Sequence, residues 1–237
     1  IADHSTAKTV DYSQLLLTIS GGMSTQEVVA QKWKALTGKP IVEGYGLTET
    51  SPIVTINKPT ISEFTGGIGY PVPSTEISLR SPEGEPVPIG ERGELCVKGP
   101  QLMGGYWRRP DETATAMTAD GFLKTGDIAV MAADGLIKIV DRLKDMILVS
   151  GFNVYPNEVE SVLVQHPKVK EAAVIGVPHE HSGEAPMAFI VARDPSLTRE
   201  ELRAFAHEQL TSYKIPRHFE FRESLPKTNV GKILRRA

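Results

Sequence analysis

Seven consecutive residues, Gly44-Tyr45-Gly46-Leu47-Thr48-Glu49-Thr50, set an aromatic ring, two hydroxyls and a carboxylate around a pair of glycines. The glycines let the backbone turn sharply beside a ligand. Tyr45 then offers a flat face to a nucleobase. Thr48 offers a hydroxyl, and nearby helix N–H groups, to a phosphate. Glu49 offers a hard oxygen to Mg²⁺. The same residues also read as an ordinary helix start, with Thr48 as the cap, Glu49 at the positive end and Tyr45 in the core.

Other stretches bear on the choice. Ser20-Gly21-Gly22-Met23 is a second glycine turn that can form one wall of a flat pocket. Asp127 closes the run from Asp120 and suits two ribose hydroxyls, although Thr-Gly-Asp alone is usually a turn. Asp141-Arg142 puts a guanidinium at a hinge-like boundary, where an exposed ion pair is the plainer reading. Lys232 follows Gly231 in a loop near the end, where an isolated lysine is normally solvated.

The elements that must position these residues alternate at first between strand and helix. Leu15 to Ile19 reads as a buried parallel strand ending at the first glycine turn. A helix capped by Ser24 is expected to run through Leu36, with Val28, Val29, Trp33 and Leu36 on one stripe, until Gly38 and Pro40 stop it. Ile41-Val42 is the next strand, ended by Gly44 and Gly46. Both glycine turns therefore follow strands, at the sheet edge where open α/β sheets hold ligands.

Past residue 61 the texture becomes that of a small antiparallel barrel or sheet, with strands at Glu76 to Leu79 and Glu94 to Val97. Asp111 to Met117 makes a short helix, and Asp134-Gly135 turns a hairpin between Ile128 to Met131 and Leu136 to Val140. Beyond it, Pro156 opens a helix, Val174 to Val177 and Met187 to Val191 are strands, and Thr198 starts a last helix with Leu202, Phe205 and Ala206 buried.

Composition is that of a water-compatible chain: 237 residues, 40% hydrophobic, 23% charged, net charge -3. That balance argues against bulk attraction to nucleic acid. The single cysteine, Cys96, excludes an intrachain disulfide and fits a reducing compartment. No apolar run approaches the roughly 20 residues of a membrane span. The first residue is Ile1, and the opening residues read as mid-domain, so a piece of a longer protein is expected. From Lys214 onward seven basic residues face two acidic ones, either a solvated tail or a surface that meets phosphates.

The order and spacing of these stretches resemble the acyl-adenylate-forming enzymes, which include acyl-CoA synthetases, luciferases and peptide-synthetase adenylation domains. The resemblance rests on "SGGMS", "GYGLTETSP", "GELCVKGPQLMGGYWRRPDET", "DGFLKTGDIAVMAADGLIKIVDRLKDMILVSGFNVYPNEVE" and "LPKTNVGKILRRA", and it covers essentially the whole chain. Residues 120 to 144 and the stretch after them look most like bacterial long-chain fatty acid–CoA ligases.

The resemblance implies an α/β fold with a β-barrel subdomain, followed by a small α+β C-terminal domain. Residues 1–143 would be the C-terminal portion of the large AMP-binding domain, α/β over 1–60 and β-rich over 61–143, and residues 144–237 the small mobile domain. It also implies roles. Gly21, Gly22 and Met23 would line the adenine pocket, with Tyr45 and Gly46 beside the base. Thr48 would contact the α-phosphate and Glu49 would hold Mg²⁺. Asp127 and Arg142 would bind the ribose, with Ile139 packed nearby. Lys144 would be the hinge, Lys232 the lysine of the first half-reaction, and Ser150 and Gly151 the loop facing the pantetheine of CoA.

Fatty acid, ATP and CoA would be the partners, without nucleic acid, in the cytoplasm; peripheral contact at the inner face of the membrane would suit a greasy substrate. Two departures stand out. The family's Ser/Thr/Gly-rich loop ending in Pro-Lys-Gly, which wraps the outer ATP phosphates, is missing here, so the chain alone is expected not to form acyl-adenylate. Leu148 also stands where several relatives carry lysine. Rival readings are another acyl- or aryl-CoA ligase, an enzyme loading a carrier protein, and a non-catalytic nucleotide-binding module of the same fold.

Overall fold

A computed structural model describes residues 2, 4–229 and 233–235. The chain divides into two compact units, Ile1–Ile139 and Val140–Ala237.

The first unit opens with β1 (Thr18–Ser20), α1 (Glu27–Thr37), β2 (Ile41–Gly46), β3 (Ile53–Ile56) and β4 (Tyr70–Pro71). These strands form one sheet in the order β1-β2-β3-β4, with β1 parallel to β2 and the other pairs antiparallel. The Trp33 indole N–H donates to the Thr18 hydroxyl at 3.0 Å and ties α1 to β1. α1 ends as its sequence directs: Gly38 adopts the left-handed conformation at φ 71° and donates its N–H to the Lys34 carbonyl.

Three expectations fail in this region. The strand expected from Leu15 begins only at Thr18, and Leu16 and Ile19 are 89% and 58% exposed. Among the described strands β1 stands at one end of the sheet order, so the run lacks the two flanking strands of a buried parallel strand. α1 starts at Glu27 after Gln26 rather than from Ser24, and Val28 and Val29 are exposed, leaving Ala30 its one fully buried residue. β2 does not end at Gly44. It continues through Gly46 because β3 folds back and pairs with Gly44, Tyr45 and Gly46.

The β-rich part comprises β5 (Glu76–Arg80), β6 (Arg92–Lys98), α2 (Pro110–Ala116), β7 (Leu123–Met131) and β8 (Ile137–Arg142). Its four strands form an antiparallel sheet in sequence order. Pro110 opens α2 at the position where its missing N–H costs nothing. The Gly69–Ile137 bridge joins β8 to the end of the first sheet. Val54, Leu79, Leu95, Val97, Ala129 and Ile137 form the core, with Tyr45 and Ile139 packed against it. β8 runs across the boundary between the units.

The second unit holds β9 (Ile147–Val149), β10 (Phe152–Val154), α3 (Pro156–Leu163), β11 (Val169–His179), β12 (Gly183–Ala192), α4 (Arg199–Gln209) and β13 (His218–Phe221). β12 is central: β11 pairs with it antiparallel, β13 parallel, and β9 meets it at Gly183. Val159 and Leu163 of α3 and Leu202 and Ala206 of α4 pack with Ile147, Val174, Ile190 and Phe219. The Thr198 hydroxyl accepts the Glu201 N–H at 3.1 Å, the cap expected from sequence. The sheet is larger than two helices and two strands suggested. The β9–β10 hairpin and β13 are strands of only three and four residues, too short to show a period.

Candidate functional site

The parallel pairing of β1 with β2 carries the Gly21-Gly22 turn and the glycine-bearing end of β2 to the same end of the sheet. Ser20 lies beside Glu43 in the register, and a side-chain carbon on Gly21 would stand 3.5 Å from the Gly44 carbonyl oxygen. Gly22 is left-handed at φ 82°, and Met23 after it is half exposed. Gly46 admits no side chain at all: a Cβ there would fall 1.7 Å from the Pro52 carbonyl oxygen.

Tyr45 and Asp127, 82 positions apart in sequence, meet directly. The Tyr45 hydroxyl donates to Asp127 Oδ2 at 2.6 Å, and Asp127 is only 6% exposed. The turn behind the aspartate is fixed in detail. Gly126 N–H donates to Glu94 Oε1 at 3.0 Å, and Asp127 N–H to the Thr125 hydroxyl at 3.1 Å. Ile139 lies against the same core as Tyr45.

Thr48 does not cap an α-helix. Thr48–Thr50 is a single 3₁₀ turn preceded by Leu47, and Ser51 at φ 51° with a cis bond to Pro52 ends it. Proline cannot continue a helix, and it also bars its predecessor from helical backbone. Thr48 is consequently exposed, while Thr50 is wholly buried and structural. The Thr50 hydroxyl accepts the Leu47 N–H at 2.9 Å and donates to the Pro52 carbonyl at 2.7 Å. Glu49 is half-buried, and its Oε1 accepts the Tyr106 hydroxyl at 2.8 Å. A carboxylate so held fits a Mg²⁺ ion that takes most of its ligands from phosphates and water.

In the second unit, Arg142 is the last residue of β8 and Lys144 lies exposed in the 3₁₀ turn Leu143–Asp145. Ser150 and Gly151 form the two-residue turn of the β9–β10 hairpin, both with positive φ (49° and 84°) and both exposed. Lys232 lies outside the described residues. On either side of it, Lys227 bridges Ile233 and the Leu234 N–H donates to the Pro226 carbonyl at 2.9 Å.

Two residues escaped the sequence reading. Glu43, just before the second glycine turn, is 8% exposed, and its Oε2 has no hydrogen-bond partner. Burial pushes its carboxyl up to about 7, against an opposing backbone N–H from Thr25 and the charge of Lys138. Its signal was a carboxylate directly after the apolar pair Ile41-Val42 of a strand, a residue type seldom buried without cause. Tyr106 gave no local signal, because only the tertiary fold brings it to Glu49.

Residues 1–107 match the family described as AMP-binding enzyme, and residues 158–232 match the AMP-binding enzyme C-terminal domain. A long-chain-fatty-acid–CoA ligase of Yersinia pestis is 58% identical over 227 residues, covering 96% of this chain and 40% of its own length. The chain thus spans about two fifths of the length of such curated relatives. Among solved structures, the amide bond synthetase McbA from Marinactinospora thermotolerans superposes with a TM-score of 0.89 at 35% identity, covering 99% of this chain and 48% of its own. ATP-bound MatB from Rhodopseudomonas palustris gives 0.87 at 35% identity, covering 92% and 43%. These matches and the paired glycine turns agree: the chain belongs to the AMP-binding enzyme family.

Proposed function

We propose that these residues serve an AMP-forming fatty acid–CoA ligase, which activates a long-chain fatty acid as acyl-AMP and passes the acyl group to CoA. The observation that carries this reading is the Tyr45–Asp127 hydrogen bond, which puts the base-facing ring and the ribose-facing carboxylate side by side. The likeness to the Yersinia pestis enzyme supports the long chain and the thiol acceptor.

A carboxylate is a poor electrophile because its leaving group would be oxide. Attack of the fatty carboxylate on the α-phosphorus of ATP releases pyrophosphate and leaves a mixed anhydride. The CoA thiolate then attacks the acyl carbon, and AMP departs with the C–O bonding pair. Gly21, Gly22, Met23, Tyr45 and Gly46 form the adenine wall. Glu43 belongs with them: its unpaired buried oxygen is an acceptor suited to an exocyclic amine. Asp127 and Arg142 take the ribose hydroxyls, with Ile139 behind them, and Thr48 takes the α-phosphate. Glu49, steadied by Tyr106, is the protein ligand for Mg²⁺, which when bound supplies positive charge against the phosphates.

Lys232 neutralises charge growing on the α-phosphate in the first step, and the Ser150-Gly151 turn faces the pantetheine in the second. The small lobe, residues 144–237, turns about Lys144 between the steps. No helix among the described residues is long and apolar enough to cross a membrane. A fatty substrate nevertheless suits a cytoplasmic enzyme touching the inner membrane face, and co-sedimentation with anionic vesicles tests that contact.

The deciding experiment joins residues 1–237 to the N-terminal portion of the Yersinia pestis ligase. Fatty-acid-dependent ATP–pyrophosphate exchange, followed by acyl-CoA formation across a chain-length series, is the expected result. ATP turnover with aryl acids alone would move the assignment to an aryl-CoA ligase. Nucleotide binding without exchange would favour the non-catalytic module.

A further inference from the structure

Asp141 is wholly buried, yet it precedes the proposed ribose ligand Arg142 and stands three residues before the proposed hinge. Both of its oxygens are engaged by backbone donors. Oδ1 accepts the N–H of Arg142 at 2.8 Å, and Oδ2 accepts the N–H of Asn157, in the first turn of α3, at 2.7 Å. The Asn157 side-chain amide returns a hydrogen bond to the Val140 carbonyl at 3.2 Å. Arg235 supplies the counter-charge: its Nη1 lies 3.7 Å from Asp141 Oδ1 and 3.4 Å from Asp145 Oδ2. The same guanidinium grips both Glu160 oxygens at 2.8 and 2.7 Å and donates to Asn157 Oδ1. A buried carboxylate with this set of partners is costly to leave incomplete.

We propose that Asp141 is a positioning residue, fastening the backbone of Arg142 to the start of α3 and to Arg235, so that the ribose contact is set by the C-terminal unit. The proposal rests on the ribose role given to Arg142 above. Its physical content is that Arg142 cannot shift without breaking a hydrogen bond to Asp141 or dragging the start of α3 with it. Turning of the lobe at Lys144 must likewise break the Asn157–Asp141 bond.

Asp141→Asn is the same size, but an amide oxygen can accept from only one of the two N–H groups, and its NH₂ faces the other. In the joined enzyme described above, Asp141→Asn is expected to raise the KM for ATP at least fivefold in acyl-AMP formation. Arg235→Met, which keeps both Asp141 acceptors but removes the counter-charge together with the guanidinium's bonds to Glu160 and Asn157, is expected to raise it less. A substitution that merely unfolds part of the population lowers kcat and leaves KM unchanged, and that result for both variants would overturn the proposal.

Hydrogen exchange on the 237-residue chain reads the contact without reference to catalysis. The amides of Arg142 and Asn157 are expected to exchange at least tenfold faster in Asp141→Asn, and unchanged protection would also overturn the proposal. If the unsubstituted joined enzyme forms no acyl-AMP, the ligase reading fails, while the exchange measurement still decides whether Asp141 fastens the two segments.

Discussion

A single hydroxyl joins Tyr45 to Asp127, the proposed base-facing and ribose-facing sides of the candidate site. Removing it in Tyr45→Phe takes the tyrosine's hydrogen bond from a buried carboxylate, which costs about 1–3 kcal/mol. The expected outcome is a lower melting temperature together with weaker AMP binding, read by calorimetry in the joined enzyme. Glu43 gives a second test through pH. Its carboxyl sits at about 7 when folded against an ordinary 4.5, so the folded state holds the proton more tightly. Between pH 4.5 and 7 the unfolded chain ionises first, and stability therefore falls as pH rises, by about 3 kcal/mol, before levelling off. Glu43→Gln is expected to flatten that fall in denaturant titrations run across the range. A slope that survives the substitution would assign it to another group.

The turns and helices allow sharper structural tests. Gly46→Ala forces a methyl group into the Pro52 carbonyl, and backbone cannot yield as a flexible side chain can. Acyl-AMP formation is expected to drop at least tenfold while the second unit keeps its stability, since the clash is confined to the β2–β3 turn. In the second unit, Leu202 is wholly buried between α4 and the sheet. Leu202→Ala is expected to cost about 2–5 kcal/mol by chemical denaturation, against about 1 kcal/mol for the cap substitution Thr198→Ala. Legibility followed the same divide. α4 carried its cap, its acidic first turn and its apolar stripe in sequence, and it folds as expected except that Phe205 is half-buried where Leu202 and Ala206 are fully buried. α1 showed an equally regular stripe, yet Val28 and Val29 are exposed, because periodicity reports which face is apolar and not whether anything covers it.

At the scale of the whole molecule, Leu16 just before β1, Ile19 on β1 and Val28 on α1 are large apolar side chains left exposed. The 237-residue chain by itself is expected to bind a hydrophobic dye and to show no fatty-acid-dependent ATP–pyrophosphate exchange, since it carries no loop for the outer phosphates. Exchange by the chain alone would overturn the requirement for that loop. Joining it to the N-terminal portion of the Yersinia pestis relative is expected to suppress the dye signal and to produce the exchange together.

The sequence by itself determined the inventory: glycine turns, an aromatic, hydroxyls and carboxylates in an order that identifies a nucleotide-handling family. Those features are local, so residue type and spacing suffice to express them. Only the tertiary structure decided which of them meet. The 82-residue reach from Tyr45 to Asp127, the grip of Tyr106 on Glu49 and the burial of Glu43 and Asp141 depend on how strands pair and what they exclude from water. Thr48 shows the converse. Its helix-start signature is clear in sequence, but the αL residue and proline that follow stop the helix after one turn, and the hydroxyl is left at the surface.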